Sequence, residues 1–285
     1  MNTTMTLPAC SREWLYVPDV TYHTPPEGAR QLQLIVPYDV AGISPDTRFP
    51  LIAFVPGSAW YRQEMYNSLP AWSRLAEMGF VFAAVQVRES TLARFPAQVE
   101  DAERALLFLR AHAEAWHIDP ARMFLAGNSS GGHIALLTAL RSACGLADAP
   151  GFSGDMLRGV IALSAPSDLL LDADRDEAAS PPGFQPVEAL LGVDDRWAHP
   201  DTARAASCPT YLQRLAPGTP LPAFLLMHGD RDPQVSVENS RRLYPQLTRA
   251  GARATYVELT GAGHGGGSLW SPPVLAQIAG FIREV

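Results

Sequence analysis

Met123-Phe124-Leu125-Ala126-Gly127-Asn128-Ser129-Ser130-Gly131-Gly132-His133 is the stretch on which the fold turns. Its first four residues form a short apolar run, the pattern of a strand buried on both faces. Residues 127–131 then spell G-x-S-x-G, and residues 131–143 read as a helix. A strand, a sharp turn and a helix are the setting in which a serine hydroxyl stands exposed at the carboxyl end of a sheet. Glycines flank such a turn because there is no room for a Cβ. Ser129 is therefore the candidate nucleophile. The amide of Ser130, at the positive end of the following helix, would face any negative charge developing beside it. A glycine-rich turn that only caps a helix would share these five letters, but the strand before and the helix after favour the nucleophile.

The same alternation extends in both directions. Short apolar runs at 51–55, 80–87, 160–163, 223–227 and 254–259 predict further strands of a parallel sheet. Residues 31–38 alternate, with Leu32, Leu34 and Val36 on one face, and predict an antiparallel edge strand. Helices fit between the runs. Asn67 is placed to cap a helix over 68–78, which Gly79 stops. The clearest helix covers 96–116, where Val99, Ala102, Leu106, Leu109, Ala113 and Trp116 share one face. Residues 272–283 form another, and 236–250 a helix that Pro245 should kink or interrupt. The expectation is an α/β fold, a doubly wound and mostly parallel sheet in one domain over 1–285. Residues 166–220 break the rhythm. They are rich in Pro, Asp, Ala and Gly, with only short helical pieces at 187–191 and 201–206. An insertion of that length reads as a lid or cap.

A serine hydroxyl needs a base. Seven histidines are available. His112 and His117 lie on or after the long helix, His23 precedes the predicted sheet, and His199 sits in the insertion. His133 is one turn into the helix after Ser129 and should pack beneath the turn; His228 ends a strand and reads as a structural hydrogen-bonder. His264 differs, because Gly261-Ala262-Gly263-His264-Gly265-Gly266-Gly267 can carry an imidazole close to another backbone. The base in turn needs a carboxylate to fix its tautomer. The run 223–227 leads into His228-Gly229-Asp230-Arg231-Asp232, so the acid comes from a strand end ahead of His264. Asp230 and Asp232 are equivalent at this level. A second source of oxyanion donors is the turn Pro56-Gly57-Ser58-Ala59-Trp60 after the strand at 51–55.

Composition removes other chemistries. The chain of 285 residues is 47% apolar and 18% charged, which excludes disorder and is enough for a core without disulfide or metal. Twenty-two cations, all of them Arg, against 29 acids leave a net charge of −7. Without lysine there is no Schiff-base or P-loop chemistry. An acidic chain without a basic run is a poor partner for nucleic acid or an anionic membrane. Cys10, Cys144 and Cys208 lie far apart, with neither metal spacing nor an even count, and read as reduced cysteines of a cytoplasmic protein. Leu7-Pro8-Ala9-Cys10 lacks the cation and apolar stretch that a lipoprotein signal would place before it.

Taken together, the motifs resemble the serine esterases of the α/β-hydrolase fold, in the branch with hormone-sensitive-lipase-like and feruloyl-esterase-like members. The likeness runs from about residue 17 to the end. It rests on residues 55–60, on Arg88 with Phe95-Pro96-Ala97-Gln98, and on residues 127–133, 228–235 and 261–265. It implies Asp232, the second Asp of H-G-D-x-D-x-x-V, as the acid of a Ser129–His264–Asp232 triad. It implies an oxyanion hole from the amides of Ser58, Ala59 and Ser130. The common His-Gly-Gly-Gly-Trp is replaced here by Pro56-Gly57-Ser58-Ala59-Trp60, and the common Tyr-Arg-Leu by Arg88-Glu89-Ser90, where Glu89 has no account. The implied activity is cleavage of small, short-acyl esters, with no cofactor or metal and a small-molecule ester as the partner. Trp60 and Trp270, with Tyr61, Phe184 and Trp197, are pocket candidates, although large aromatics belong to cores as often. A peptidase or amidase with the same triad is the enzymatic alternative. A non-catalytic binding module on the same fold is the other.

Overall fold

A computed structural model of the chain describes residues 12–38, 43–171 and 183–285. Cys10 and the segment around it lie outside the described residues, as does part of the insertion. The described chain builds an eight-stranded sheet, β1 (Glu13–His23), β2 (Arg30–Tyr38), β3 (Phe49–Val55), β4 (Val81–Val85), β5 (Ile118–Asn128), β6 (Leu157–Leu163), β7 (Ala223–Gly229) and β8 (Ala254–Leu259), in the order β1-β2-β4-β3-β5-β6-β7-β8. The strands from β4 to β8 run parallel, while β1 and β2 join by antiparallel pairings.

Alternation along each strand divides the core between the two faces of the sheet. Leu51, Ala53, Leu125, Val160, Ala162 and Leu226 face one layer, packed by α2 (Ala97–Ala111), α3 (Ser130–Ala143) and α7 (Glu238–Arg249). Ile52, Phe54, Phe124, Ile161, Leu225 and Met227 face the other, packed by α1 (Leu69–Glu77) and α8 (Pro272–Glu284). Both faces being covered is why the central strands read as continuous apolar runs. Among the described residues no helix is long and apolar enough to cross a membrane.

Several expectations are corrected. The alternating segment at 31–38 is antiparallel but not at the edge, because β1 lies outside it. β1 escapes pattern reading because it is largely exposed and its register shifts between Val17 and Val20 around Pro18 and Asp19. Asp19 adopts φ 53°, and the bulge is held by its amide and side chain on Gln33 of β2. The helix expected over 96–116 ends at Ala111; His117 turns left-handed at φ 54°, and the Ile118 amide bonds back to the Ala113 carbonyl at 2.8 Å. Pro245 lies inside α7 without interrupting it. Ser68, not Asn67, stands at the start of α1, and its side chain makes no capping bond.

The insertion between β6 and β7 carries α4 (Pro186–Leu191), α5 (Pro200–Ala205) and α6 (Cys208–Leu212), the last not foreseen. Leu190, Leu191, Ala203, Ala206, Cys208 and Tyr211 bury their side chains against the main core. Tyr211 also accepts a hydrogen bond from Arg141 of α3 at 2.7 Å, tying the insertion to the helix that follows Ser129.

Candidate active site

The carboxyl ends of β3, β5, β7 and β8 converge on Ser129. The turn after β5 is as tight as its glycines suggested: a Cβ on Gly131 would fall on the carbonyl of Val55 at the end of β3. Ser129 itself sits at φ 52°, ψ −126°, a backbone region that costs a non-glycine residue on the order of 1–3 kcal/mol. Its amide is fixed by the Leu163 carbonyl at the end of β6, at 2.8 Å. The strained turn lifts the hydroxyl clear of the sheet and starts α3 at the next residue.

His264 reaches that hydroxyl from the loop after β8. Its Nε2 lies 2.9 Å from Ser129 Oγ and its Nδ1 2.7 Å from Asp232 Oδ2. A carboxylate only accepts, so Nδ1 carries the ring proton and Nε2 is left to accept from Ser129. The close approach is permitted at Gly229, where a Cβ would meet the carbonyls of Ala262 and Gly263. Asp232 has a side chain with no exposed area. Burial pushes its carboxyl upward. Hydrogen bonds from His228 and His264, with the Val235 amide, outweigh that and hold it well below the usual carboxylate range. Its Oδ1 accepts the amides of Gln234 and Val235, each at 2.9 Å. Its Oδ2 also lies 3.2 Å from His228 Nε2. The ring of His228 is fully buried and is held by Ser240 Oγ on Nδ1 at 2.8 Å. His228 is thus the hydrogen-bonder expected from its place at a strand end: its Nε2 meets the Val235 carbonyl at 2.9 Å, with the Asp232 carboxylate beside it.

The turn after β3 departs from expectation. Its amides meet the two residues that flank Ser129: Gly57 N donates to Asn128 Oδ1 and Ser58 N to Ser130 Oγ, both at 2.9 Å. The Ser58 amide is therefore already engaged and does not stand free as an oxyanion donor, because the side chain of Ser130 occupies it. Among the described residues the amides of Ala59 and Ser130 have no hydrogen-bond acceptor. Gln63, which the sequence did not single out, braces the turn through the Pro56 carbonyl at 2.9 Å and the Val87 amide at 2.7 Å.

A family model described as BD-FAE matches residues 42–247, most of the chain. The chain belongs to the BD-FAE family. Esterase LipQ of Mycobacterium tuberculosis is 30% identical over 225 residues, covering 78% of this chain and 51% of LipQ. Among solved structures, a truncated carbohydrate esterase from gut microbiota superposes with a TM-score of 0.75 at 23% identity, over 97% of this chain and 98% of that one. An esterase from Thermogutta terrifontis with propionate bound gives 0.71 at 23% identity, over 96% and 94%. The chain spans about half the length of the curated relatives it matches. Family and fold are those the motifs implied: the α/β-hydrolase fold, with its esterase branch as kin.

In this BD-FAE chain the remaining candidates separate. Asp230 turns away from His264 and accepts the Gly261 amide at 2.6 Å, bracing the loop that carries the imidazole. His112 and His117 bond to main-chain carbonyls of Phe108 and Thr47. Trp60 is not a pocket wall. It is 5% exposed, and its indole N–H donates to His133 Nδ1 at 3.1 Å. Trp270 packs into the second core layer, with its ring 5.3 Å from Phe54 and 6.4 Å from Trp72. Tyr61 and Phe184 do meet, at 5.8 Å, joining the turn after β3 to the insertion. Trp197 is exposed beside Arg196. Arg88 is pinned by Asp101 and Glu100 of α2, which fixes the chain beyond β4.

Proposed function

We propose that this chain is a serine carboxylesterase that works through a covalent acyl-enzyme. The observation that carries the reading is the hydrogen-bonded series Ser129 Oγ, His264 Nε2, His264 Nδ1, Asp232 Oδ2. Ser129 Oγ attacks the ester carbonyl carbon, and its proton passes to His264 Nε2. Asp232, ionised, stabilises the imidazolium that results. The carbonyl oxygen becomes an oxyanion facing the amides of Ala59 and Ser130, where each preorganised donor is worth roughly 10²–10³ in rate. The intermediate collapses as the bond to the alcohol oxygen breaks and His264 gives that oxygen the proton. Water then enters by the same route: His264 takes its proton, the acyl–Oγ bond breaks, and Ser129 is restored.

LipQ and its kin are named as esterases, which supports ester cleavage over peptide cleavage. The Thermogutta esterase was solved with propionate, and this supports short acyl groups. In this reading Phe184 of the insertion, against Tyr61 of the turn after β3, forms part of the entrance. The test is a side-by-side measurement on p-nitrophenyl acetate, butyrate and decanoate and on aminoacyl anilides. Cleavage of the short esters with little action on anilides supports the reading. Faster anilide cleavage replaces it with an amidase or peptidase.

A further inference from the structure

Ala59 and Trp60 are consecutive non-glycine residues in the left-handed region, at φ 53° and 59°. Each such residue costs about 1–2 kcal/mol, so their surroundings must impose the conformation. At the backbone, the Trp60 carbonyl accepts the Ser90 amide at 2.8 Å, and the Tyr61 amide bonds to the Ser58 carbonyl at 3.0 Å. The side chain supplies the third restraint. The Trp60 indole donates to His133 Nδ1 at 3.1 Å, edge to face, with centroids 5.2 Å apart at 85°. His133 is 1% exposed and stands in the first turn of α3, its amide on the Ser129 carbonyl. Its Nε2 donates in turn to the Ala206 carbonyl of the insertion at 2.7 Å.

The chemistry of the three groups leaves one arrangement. An indole N–H only donates and a carbonyl only accepts, so the ring is neutral with its proton on Nε2. A proton on Nδ1 would face the indole N–H. Burial likewise pushes the ring's pKa down, to about 4.

We propose that His133 is a positioning residue: by holding the Trp60 indole it fixes the left-handed Ala59–Trp60 backbone that aims the Ala59 amide at the oxyanion, and through Ala206 it sets that turn in register with the insertion. The rate consequence rests on the esterase reading above; the hydrogen-bonded strut does not.

The variants are His133→Phe, which keeps a ring and loses both bonds, and His133→Gln, whose amide can accept from the indole and donate to the carbonyl. His133→Phe should lower kcat on p-nitrophenyl butyrate ~10- to 100-fold, the scale of a misaimed oxyanion donor, with KM within about threefold. His133→Gln should restore most of the loss. Trp60→Phe removes the same bond from the other end; it should show the same fall in kcat, and adding it to His133→Phe should cost little more. It also serves should His133→Phe not fold. A folded His133→Phe with kcat within about threefold of the parent, or a Gln variant as poor as Phe, would overturn the proposal. Indole N–H exchange of Trp60, followed by ¹⁵N NMR, reads the strut without any activity: slow in the parent and in His133→Gln, fast in His133→Phe. Should the parent cleave no ester, the esterase reading fails while this exchange still decides the strut, and equal exchange in parent and His133→Phe would overturn it.

Discussion

The amide of Ser58 donates to the hydroxyl oxygen of Ser130 at 2.9 Å, binding the turn after β3 to the residue that follows the nucleophile candidate. Asn128 holds Gly57 in the same way from the other side of Ser129. The two variable letters of G-x-S-x-G are therefore clamps on the facing turn. Ser130→Ala removes one clamp while keeping the Ser130 amide. About a tenfold fall in kcat on a short-chain ester, with KM little changed, is expected from the loosened turn. Unchanged kcat would mean the clamp is dispensable.

Asp230 and Asp232 differ in what they touch, so their amides should differ in effect. Asp232→Asn replaces the acceptor of His264 Nδ1–H and should cost about 10⁴ in kcat by disturbing the tautomer. Asp230→Asn keeps an oxygen for the Gly261 amide and should cost less than about tenfold. Steady-state kinetics of both on one ester decides. The reverse ranking would move the acid to Asp230.

Two buried groups impose opposite pH dependences on stability. Glu103 of α2 is fully buried; Oε2 accepts the amides of Asp148 and Ala149 at 2.7 and 2.6 Å, and Oε1 has no partner among the described residues. Burial pushes its carboxyl from 4.5 up to about 7. The folded state thus keeps a proton that the unfolded chain loses, and this contribution is full below 4.5 and fades as pH rises through about 7. His133 is pushed from 6.5 down to about 4, so its contribution is full above 6.5 and is lost as pH falls through about 4. The two slopes oppose each other across most of the same interval. Glu103→Gln should remove one and expose the other. Relative to the parent, the variant should lose stability as pH falls from 6.5 to 4.5, by on the order of 3 kcal/mol. Urea unfolding at several pH values measures this. A variant curve parallel to the parent's would contradict it.

The legible part of this molecule is what depends on neighbours in sequence. The nucleophile turn could be read because a buried strand, glycines and a helix must follow one another there, and β5, Ser129 and α3 do. His264 could be found because of its glycines, although these serve the turns of the loop, with Gly261, Gly265 and Gly266 at φ 79°, 82° and 71°, and the close approach itself falls at Gly229. Asp230 and Asp232 could not be separated by spacing, since both follow β7 and only the fold of the turn points one of them at the imidazole. The engagement of the Ser58 amide was hidden for the same reason, as its acceptor lies 72 residues away. His133 was correctly expected beneath the turn, yet its partner Trp60 is 73 residues distant, and the pair reads as core aromatics in a sequence. β1 was lost because Pro18 and Asp19 break the alternation at the bulge.

The central claim is that Ser129, activated by His264, is the nucleophile. Its most direct test is intact-protein and peptide mass spectrometry after treatment with a fluorophosphonate. One phosphonyl adduct on Ser129 is predicted for the parent, absent in Ser129→Ala and formed orders of magnitude more slowly in His264→Ala. A folded parent that takes up no adduct, or takes it up at another serine, would contradict the account.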